Sequence, residues 1–381
     1  MTGYVAVCRW QAFRNDRVER RGGFGRTKSD IKPCFIEEKF EMYEKPLSLI
    51  VPCHNALSFL AECWDSIKDQ SFGLDRMQCI FVDDASTDET YSALKTIQSE
   101  YPDSVEVIHL KENLRQGGAR NVGLSLAMGT YVQFLDQDDR LLPTACEELY
   151  LLAEDYQTDL IQFAYAHPGD KEAHDAYCSE DGFYIVHSVP ERKQLLMSGL
   201  FYCTHHNLFY RNSLIKQVGS RFPEHRVYEE PLFVYPLYFY AKRLMILSKG
   251  LYLGRAHEES STNTLLPSRL IDHPVVQFAL HDFLEQKGLT RDYSDEIAFY
   301  ILWTAFGETI VNASRDSRFF TCQDFLLLQK ECQRRFPSWQ ENPYFQDIAP
   351  EIQKVLGGLT ASIDSPDELS GFLSEIAGLS F

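Results

Sequence analysis

The sequence lacks any apolar segment long enough to cross a membrane and any cysteine pair at metal-binding spacing. Its densest apolar stretch, Pro231–Ala241, contains a second proline and falls well short of the roughly 20 residues that a membrane-spanning helix needs. None of the ten cysteines forms a C-x-x-C motif, so we expect buried, reduced thiols rather than a zinc or redox site. No signal-peptide pattern opens the sequence, and we therefore expect the protein to stay in the cytoplasm.

Positive charge is also scarce. The chain of 381 residues has 37 basic and 55 acidic side chains and a net charge of −18. This balance argues against nucleic acid as a partner, since phosphate backbones are bound by basic faces, but it is compatible with a local basic pocket for a diphosphate. The first 33 residues are an exception, with eight Arg or Lys against three acidic residues. We interpret residues 1–45 as a disordered N-terminal extension.

From Leu47 onward, apolar runs typical of buried strands alternate with segments of helical periodicity. Strands separated by single helices predict right-handed βαβ units and a mostly parallel sheet, and therefore an α/β domain over residues 46–262. The pattern then becomes helical, which predicts a helical C-terminal region over 263–381. The predicted strands are 47–51, 78–82, 104–110, 130–135 and 159–166, and the predicted C-terminal helices are 270–287, 294–313, 321–336 and 365–377.

Acidic residues follow two of the predicted strands. The strand 130–135 leads into Asp-Gln-Asp-Asp at residues 136–139, and the strand 78–82 leads into Asp83 and Asp84. Open α/β sheets bind their ligands at the carboxyl ends of strands. Two carboxylates one residue apart suit a hard divalent cation and leave positions for phosphate oxygens. Taken singly, such clusters also occur as turns and helix caps.

These motifs occur in an order that resembles the family 2 glycosyltransferases, enzymes with the nucleotide-diphospho-sugar transferase fold called GT-A. The resemblance covers about residues 46–260 and implies a Rossmann-like sheet flanked by helices. It also implies transfer of a sugar from a nucleotide donor to a hydroxyl group. The segments that carry it are Pro46–Asn55, Val82–Asp88, Asn113, Ala119–Gly123, Gly129–Val132 and Phe134–Asp139.

The resemblance further implies roles for residues on the donor side. Asp84 would contact the nucleobase, because its carboxylate can accept a hydrogen bond from the imide N–H of uracil, and Arg120 would lie close to it. Asp138 would hold Mn2+ or Mg2+, with Asp136 contacting the ribose or the metal. Further contacts are expected to the nucleotide from Pro52 and Asn55, to the metal from His257, and to the diphosphate or acceptor from Arg255 and Asn207.

A pair of acids, Glu229 and Glu230, lies about ninety residues after Asp138, where the family places its general base. By resemblance, Glu230 would deprotonate the acceptor hydroxyl beside Glu229, and the sugar would be transferred with inversion. Relatives carry Asp at this second position, so Glu230 departs from the pattern by one methylene, and Pro231 follows it. The structural alternative is an acidic helix N-terminus that faces solvent.

Two adjacent histidines, His205 and His206, lie in a segment without clear periodicity. Such a pair can indicate a metal site. On a strand, however, neighbouring side chains point to opposite faces. The pair therefore does not predict a zinc site.

The resemblance implies a nucleotide-sugar donor, with a UDP-sugar favoured, and a glycan or lipid-linked glycan acceptor in bacterial surface polysaccharide synthesis. A lipid-linked acceptor would bring the enzyme to the inner face of the membrane, with a peripheral contact there.

The alternative is a non-catalytic nucleotide- or glycan-binding relative of the same fold, which the Glu230 departure favours. A sugar-nucleotide pyrophosphorylase would need a Gly-rich basic loop after the first strand, and Pro52–Asn55 is not one. The sugar, the linkage and the oligomeric state are left open.

Overall fold

The computed structural model describes residues 45–166, 182–255, 267–346 and 348–379. These residues divide into two compact units, the first over 45–188 and 202–255 and the second over 189–201 and 267–379, each apart from the gaps. The predicted N-terminal extension up to residue 44, the predicted metal ligand His257 and the predicted domain boundary near residue 262 lie outside the described residues.

The first unit contains a sheet in which nine strands are described. The strand order is β3-β2-β1-β4-β8-β6-β9-β5, with β7 also paired to β9. The strands are β1 Leu47–Cys53, β2 Met77–Asp83, β3 Val105–His109, β4 Tyr131–Phe134, β5 Arg140–Leu141, β6 Leu160–Ala166, β7 Phe183–Val186, β8 Leu208–Arg211 and β9 Leu244–Leu253.

The described α-helices alternate with the strands of the first unit and dominate the second. Helix α5 and helices α8 to α13 belong to the second unit. In chain order they are α1 Leu57–Lys68, α2 Thr90–Glu100, α3 Arg115–Leu126, α4 Ala145–Asp155, α5 Val189–Ser198, α6 Asn212–Val218, α7 Glu230–Tyr240, α8 Pro267–Gln286, α9 Ser294–Ile301, α10 Glu308–Arg315, α11 Cys322–Arg335, α12 Pro350–Gly357 and α13 Pro366–Ala377.

The centre of the sheet is buried throughout. Every residue of β1, β2 and β4 is buried, which accounts for their nearly continuous apolar sequences, since parallel strands are covered on both faces. Parallel pairing joins β1 to β2 and β4, and β2 to β3. The acidic segments predicted from the sequence therefore leave the two strands that flank β1 at the same edge of the sheet.

The predicted α/β fold with helices flanking a sheet is confirmed. The sheet is more mixed than predicted, because β8 is antiparallel to β4 and β6, while β5 and β7 are antiparallel to β9. Strands β5, β7, β8 and β9 were not predicted. Strand β8 has only four residues. Strand β9 ends at Leu253, close to Arg255, a residue that was assigned by resemblance to the family and not by periodicity.

The second unit confirms the predicted helical region. Helices α9 and α10 are joined by a buried π-helical segment, Leu302–Gly307. Helix α13 begins as its sequence predicts, because Ser365 and Glu368 form a reciprocal capping box and Pro366 occupies the first turn. No helix in the described part of the chain is long and apolar enough to span a membrane.

Gly123 allows α3 to approach the sheet closely. A Cβ atom there would lie 2.5 Å from Ile50 Cγ2 on β1. We expect Gly123→Ala to lower the free energy of unfolding by about 1–3 kcal/mol, because the packed strand cannot yield. Gly371 is the matched control, since no atom lies within 4 Å of the added Cβ, and Gly371→Ala should raise stability by about 0.5–1 kcal/mol. Urea unfolding measures both; equal effects would contradict the steric argument.

Glu308 makes the second unit sensitive to pH. Burial raises the pKa of Glu308 to about 8, and its Oε1 atom has no hydrogen-bond partner among the described residues. The native state therefore holds a proton that the unfolded chain releases near pH 4.5. The bound proton stabilises the folded state relative to the unfolded chain. This stabilisation is fully present below about pH 4.5 and is lost as the pH rises through about 8.

We expect Glu308→Gln to remove this loss. Its stability relative to the parent protein should rise between pH 5 and about pH 8 by an amount on the order of a few kcal/mol. His273 Nε2 lies 3.6 Å from Glu308 Oε2, and a charge on that imidazole would reduce the difference. Urea unfolding of both proteins across this range is the measurement, and parallel stability curves would contradict the prediction.

Candidate functional site

The acidic segment 136–139 follows β4 and is fixed by β9. Tyr252, on β9, donates from its hydroxyl to Asp139 Oδ2 at 2.8 Å and accepts from the Asp136 backbone N–H at 3.1 Å. Asp139 Oδ1 accepts from the Arg255 backbone N–H at 2.7 Å. Burial, together with the carboxylates of Asp136 and Asp138, raises the pKa of Asp139 to about 7. Asp139 therefore orders the segment that carries Asp136 and Asp138.

Arg120, on α3, lies between two carboxylates. It is 1% exposed. Its Nη2 atom donates to Asp136 Oδ1 at 2.8 Å, and its Nη1 atom donates to Glu229 Oε1 at 2.7 Å. Gln116 Nε2 also donates to Glu229 Oε1, at 2.8 Å. Burial opposes the charge of the guanidinium, but the two carboxylates outweigh it and raise the pKa of Arg120. Arg120 thus joins the segment after β4 to the acid that precedes α7.

His205 joins the same two parts of the chain on the other side. Its Nε2 atom lies 3.2 Å from Asp136 Oδ1, and its Nδ1 atom lies 3.7 Å from Glu230 Oε1. Burial and Arg120 act to lower the pKa of His205, yet Asp136 and Glu230 outweigh them and the pKa is raised. Acids alternate with Arg120 and His205 in a chain of contacts, and the peptide bond between the two glutamates closes it. The order is Glu229, Arg120, Asp136, His205 and Glu230. We call these five residues the charge ring.

The expectation that His205 and His206 point apart is wrong. Both residues precede β8, in a turn, and their ring centroids lie 5.1 Å apart. His206 packs against Tyr165 and Tyr252, with centroid distances of 5.1 and 4.7 Å. Its Nδ1 atom lies 4.0 Å from Asp136 Oδ2. Burial and the neighbouring His205 lower the pKa of His206 to about 3, so its imidazole is neutral at physiological pH.

The nucleobase residues predicted from the sequence lie at the ends of β1 and β2. Pro52 is buried within β1, and Asn55 is exposed beyond it with a left-handed backbone, φ 51°. Asn55 Oδ1 accepts from the Thr87 backbone N–H at 2.8 Å. Asp84 is 3% exposed, and its Oδ1 atom accepts from the Leu114 backbone N–H at 2.7 Å. Burial raises the pKa of Asp84.

Gln137 connects these loops to the acidic segment. Its Oε1 atom accepts from the His54 backbone N–H at 2.6 Å, and its Nε2 atom donates to the His54 carbonyl at 3.1 Å. His54 in turn places its Nδ1 atom 2.8 Å from the Asp84 carbonyl. The predicted nucleobase residues and the predicted metal residues are therefore held in one cleft at the carboxyl edge of the sheet.

The remaining predicted residues differ in accessibility. Arg255 is half-buried, and its Nη2 atom donates to Glu62 Oε2 on α1 at 2.5 Å. Its Nε atom donates to the Asp138 carbonyl at 3.3 Å, which leaves it beside the predicted diphosphate position. Asn207 is 3% exposed and donates to the Phe163 carbonyl at 3.1 Å. Its oxygen accepts from the Thr204 hydroxyl, so Asn207 is committed to holding the loop before β8.

Several atoms at this edge can hold a cation. Asp138 is half-buried, and carboxylate oxygens are the ligands that Mg2+ and Mn2+ prefer. Asp136, His205 and His206 also place ligand-type atoms within 4.8 Å of one another. However, Asp136 Oδ1 already lies within hydrogen-bond distance of both Arg120 and His205. The residue set therefore fits Mg2+ or Mn2+ at Asp138 better than an imidazole-preferring metal such as Zn2+ between the histidines.

Comparison with known proteins finds a family model that matches part of the chain. Residues 48–219 match the family model described as Glycosyl transferase family 2. EpsH of Bacillus subtilis, a glycosyltransferase by name, is 26% identical over 270 residues, which are 67% of this chain and 74% of EpsH. TarS of Staphylococcus aureus, a poly(ribitol-phosphate) beta-N-acetylglucosaminyltransferase, is 27% identical over 207 residues. That match covers 54% of this chain and only 34% of TarS.

Solved structures agree on the fold. S. aureus TarS 1–349 in complex with UDP-GlcNAc aligns with a TM-score of 0.51 and 22% identity, covering 82% of this chain and 79% of that one. Mannosyltransferase PcManGT from Pyrobaculum calidifontis, in complex with GDP-Man and Mn2+, aligns with a TM-score of 0.51 and 14% identity, covering 94% and 95%. The resemblance predicted from the ordered motifs is confirmed.

We expect Arg120→Met to lower the free energy of unfolding by about 3–5 kcal/mol, because Asp136 and Glu229 would lose their shared buried cation. Adding Glu229→Gln should recover part of the loss by removing one unpaired charge. Arg140→Met is the matched control: Arg140 is 38% exposed and lies 3.4 Å from Glu62, and such surface pairs contribute about 0–1 kcal/mol. Urea unfolding measures all variants; equal losses at the two arginines would contradict the role of Arg120.

Proposed function

Because residues 48–219 belong to the family 2 glycosyltransferases, we propose that the protein moves a sugar from a nucleotide-sugar donor to a hydroxyl of a glycan or lipid-linked glycan. A UDP-sugar is the favoured donor, the reaction depends on Mn2+ or Mg2+, and the anomeric carbon is inverted. The observation that supports this proposal most strongly is the charge ring, in which Asp136 and Glu230 lie on either side of one imidazole.

The donor occupies the cleft at the carboxyl edge of the sheet. Asp84 and the loop at Asn55 receive the nucleobase, and Asp136 faces the ribose. Asp138, with Asp136, would hold Mn2+ or Mg2+, which offsets the charge that develops on the departing diphosphate. Arg255 lies beside Asp138 and adds a positive charge to the same region. Arg255 is itself paired with Glu62, so a bound divalent cation would be the group that offsets the negative charge of this region toward an anionic donor.

Glu230 takes the proton of the acceptor hydroxyl. Its side chain is 17% exposed, whereas that of Glu229 is 1% exposed and held by Arg120. Burial opposes ionisation of Glu230, but His205 and Arg120 outweigh it and lower its pKa, so the carboxylate form that a base requires is favoured. The acceptor oxygen then attacks the anomeric carbon from the face opposite the diphosphate. The sugar–phosphate bond breaks, and the nucleoside diphosphate leaves with the bonding electron pair.

The names of relatives support a particular class of acceptor. TarS acts on poly(ribitol-phosphate), and GgaB of B. subtilis, a minor teichoic acid biosynthesis protein, is 32% identical over 125 residues. The match to GgaB covers only 33% of this chain and 14% of GgaB. A polyhydroxylated bacterial surface polymer, or its lipid-linked precursor, is therefore the acceptor class that we propose.

We expect purified protein to release nucleotide from one donor in a panel of UDP-, GDP-, CDP- and dTDP-sugars, and only with Mn2+ or Mg2+. Asp138→Asn and Glu230→Gln should each lower the rate by about a hundredfold or more, because each removes a group that acts in the transition state. Asp103→Asn is the matched control, since Asp103 is an exposed turn residue before β3. Chromatographic detection of released nucleotide is the measurement.

Donor binding in the same samples decides between the proposal and its alternative. Binding of a nucleotide sugar by calorimetry, without turnover on any polyol-phosphate or glycan acceptor, would contradict the enzyme proposal and support a non-catalytic relative. Turnover that persists in Glu230→Gln would contradict the assignment of the base alone.

A further inference from the structure

His205 places each of its ring nitrogens beside a different carboxylate. Nε2 lies within hydrogen-bond distance of Asp136 Oδ1, whereas Nδ1 lies 3.7 Å from Glu230 Oε1, an ion-pair distance, and has no hydrogen-bond partner among the described residues. We propose that His205 is a positioning residue: through Nδ1 it fixes the base Glu230, and through Nε2 it fixes Asp136 on the donor side. The imidazole thereby sets the separation between the acceptor hydroxyl and the donor. This inference rests on the function proposed for Glu230 and Asp136, and it assigns a role that the sequence motifs do not contain.

The surroundings of His205 hold the imidazole in one orientation. The residue is 2% exposed. Phe134 and Phe222 meet its ring edge to face, each with a centroid distance of 5.9 Å. The backbone carbonyl of His205 accepts from the Tyr210 hydroxyl at 3.0 Å. A ring enclosed in this way cannot follow a mobile carboxylate, so it imposes its own position on the two acids that it contacts.

Glu230 needs such a partner because its side chain is long. It has one rotatable bond more than aspartate and therefore loses more rotamer entropy when it is ordered. Its backbone is fixed as the first residue of α7, with Pro231 following, but its carboxylate is 17% exposed. A misplacement of about 1 Å at a reacting group can lower a rate about a hundredfold, so an ordered carboxylate matters for catalysis.

The ring also ties Glu230 to the donor side. Asp136 Oδ1 lies 3.2 Å from His205 Nε2 and 2.8 Å from Arg120 Nη2. Both side chains contact the same oxygen, so Asp136 is held from two directions. A divalent ion at this oxygen would have to displace one of them, which is why we assign positioning rather than metal binding to His205.

Two amide substitutions separate the two contacts. In His205→Asn, the side-chain amide lies near the place of Nδ1 and keeps the contact with Glu230. In His205→Gln, the amide reaches the place of Nε2 and keeps the contact with Asp136. We expect His205→Asn to raise the donor KM about tenfold with little change in kcat, and His205→Gln to lower kcat about tenfold to a hundredfold with little change in donor KM.

A double-mutant cycle tests whether His205 acts through Glu230. In the Glu230→Gln background, His205→Gln should cause no further loss of kcat, because the base that it positions is absent. Calorimetric titration with UDP gives the active fraction and an affinity that does not depend on turnover. UDP binding should weaken in His205→Asn and stay unchanged in His205→Gln. The same exchanges at His281, a buried histidine of the second unit, control for loss of an imidazole.

The inference is overturned if both variants change the same kinetic constant by the same factor, or if His205→Gln lowers kcat equally with and without Glu230. These outcomes leave the proposed function intact as long as the parent protein turns over a donor. Failure of the proposed function is recognised separately, by the absence of turnover in the parent protein.

Discussion

The candidate site depends on one buried cation, Arg120, shared by two acids from distant parts of the chain. A guanidinium in a water-poor interior is tolerated only when its charge is compensated, and Asp136 and Glu229 provide that compensation. Other features serve the same contact. A Cβ at Gly117 would lie 2.8 Å from the Pro223 carbonyl, and Asn121 exchanges hydrogen bonds of 2.8 and 3.0 Å with the backbone of Phe222. Helix α3 is thereby held against the segment that delivers the two glutamates.

The sequence predicted what is encoded locally. Continuous apolar runs identified β1, β2 and β4, and helical periodicity identified α13, because each depends on neighbours in the chain. The ordered motifs then gave the resemblance that the family model matches over residues 48–219.

The charge ring could not be predicted in the same way. Arg120 and Glu229 are 109 residues apart, and no periodicity relates them. The pair His205-His206 was visible, but the relative direction of the two side chains was predicted wrongly. The rule that neighbours point apart applies to a strand, and the chain makes a turn there before β8. The antiparallel strand β8 itself was missed for a related reason: its four residues are too few for an alternating pattern to be distinguished from an irregular segment.

The loop after β1 is joined to the loops after β2 and β4 by neutral groups. Gln137 is bonded to the backbone of His54, and Asn55 accepts from the backbone of Thr87. Salt at 0.1 M largely screens exposed charges that lie more than about 10 Å apart, but it has little effect on such neutral bonds. These connections between the loops should therefore persist across ionic strengths, whereas the exposed ion pair of Arg255 and Glu62 nearby is the kind of contact that salt weakens.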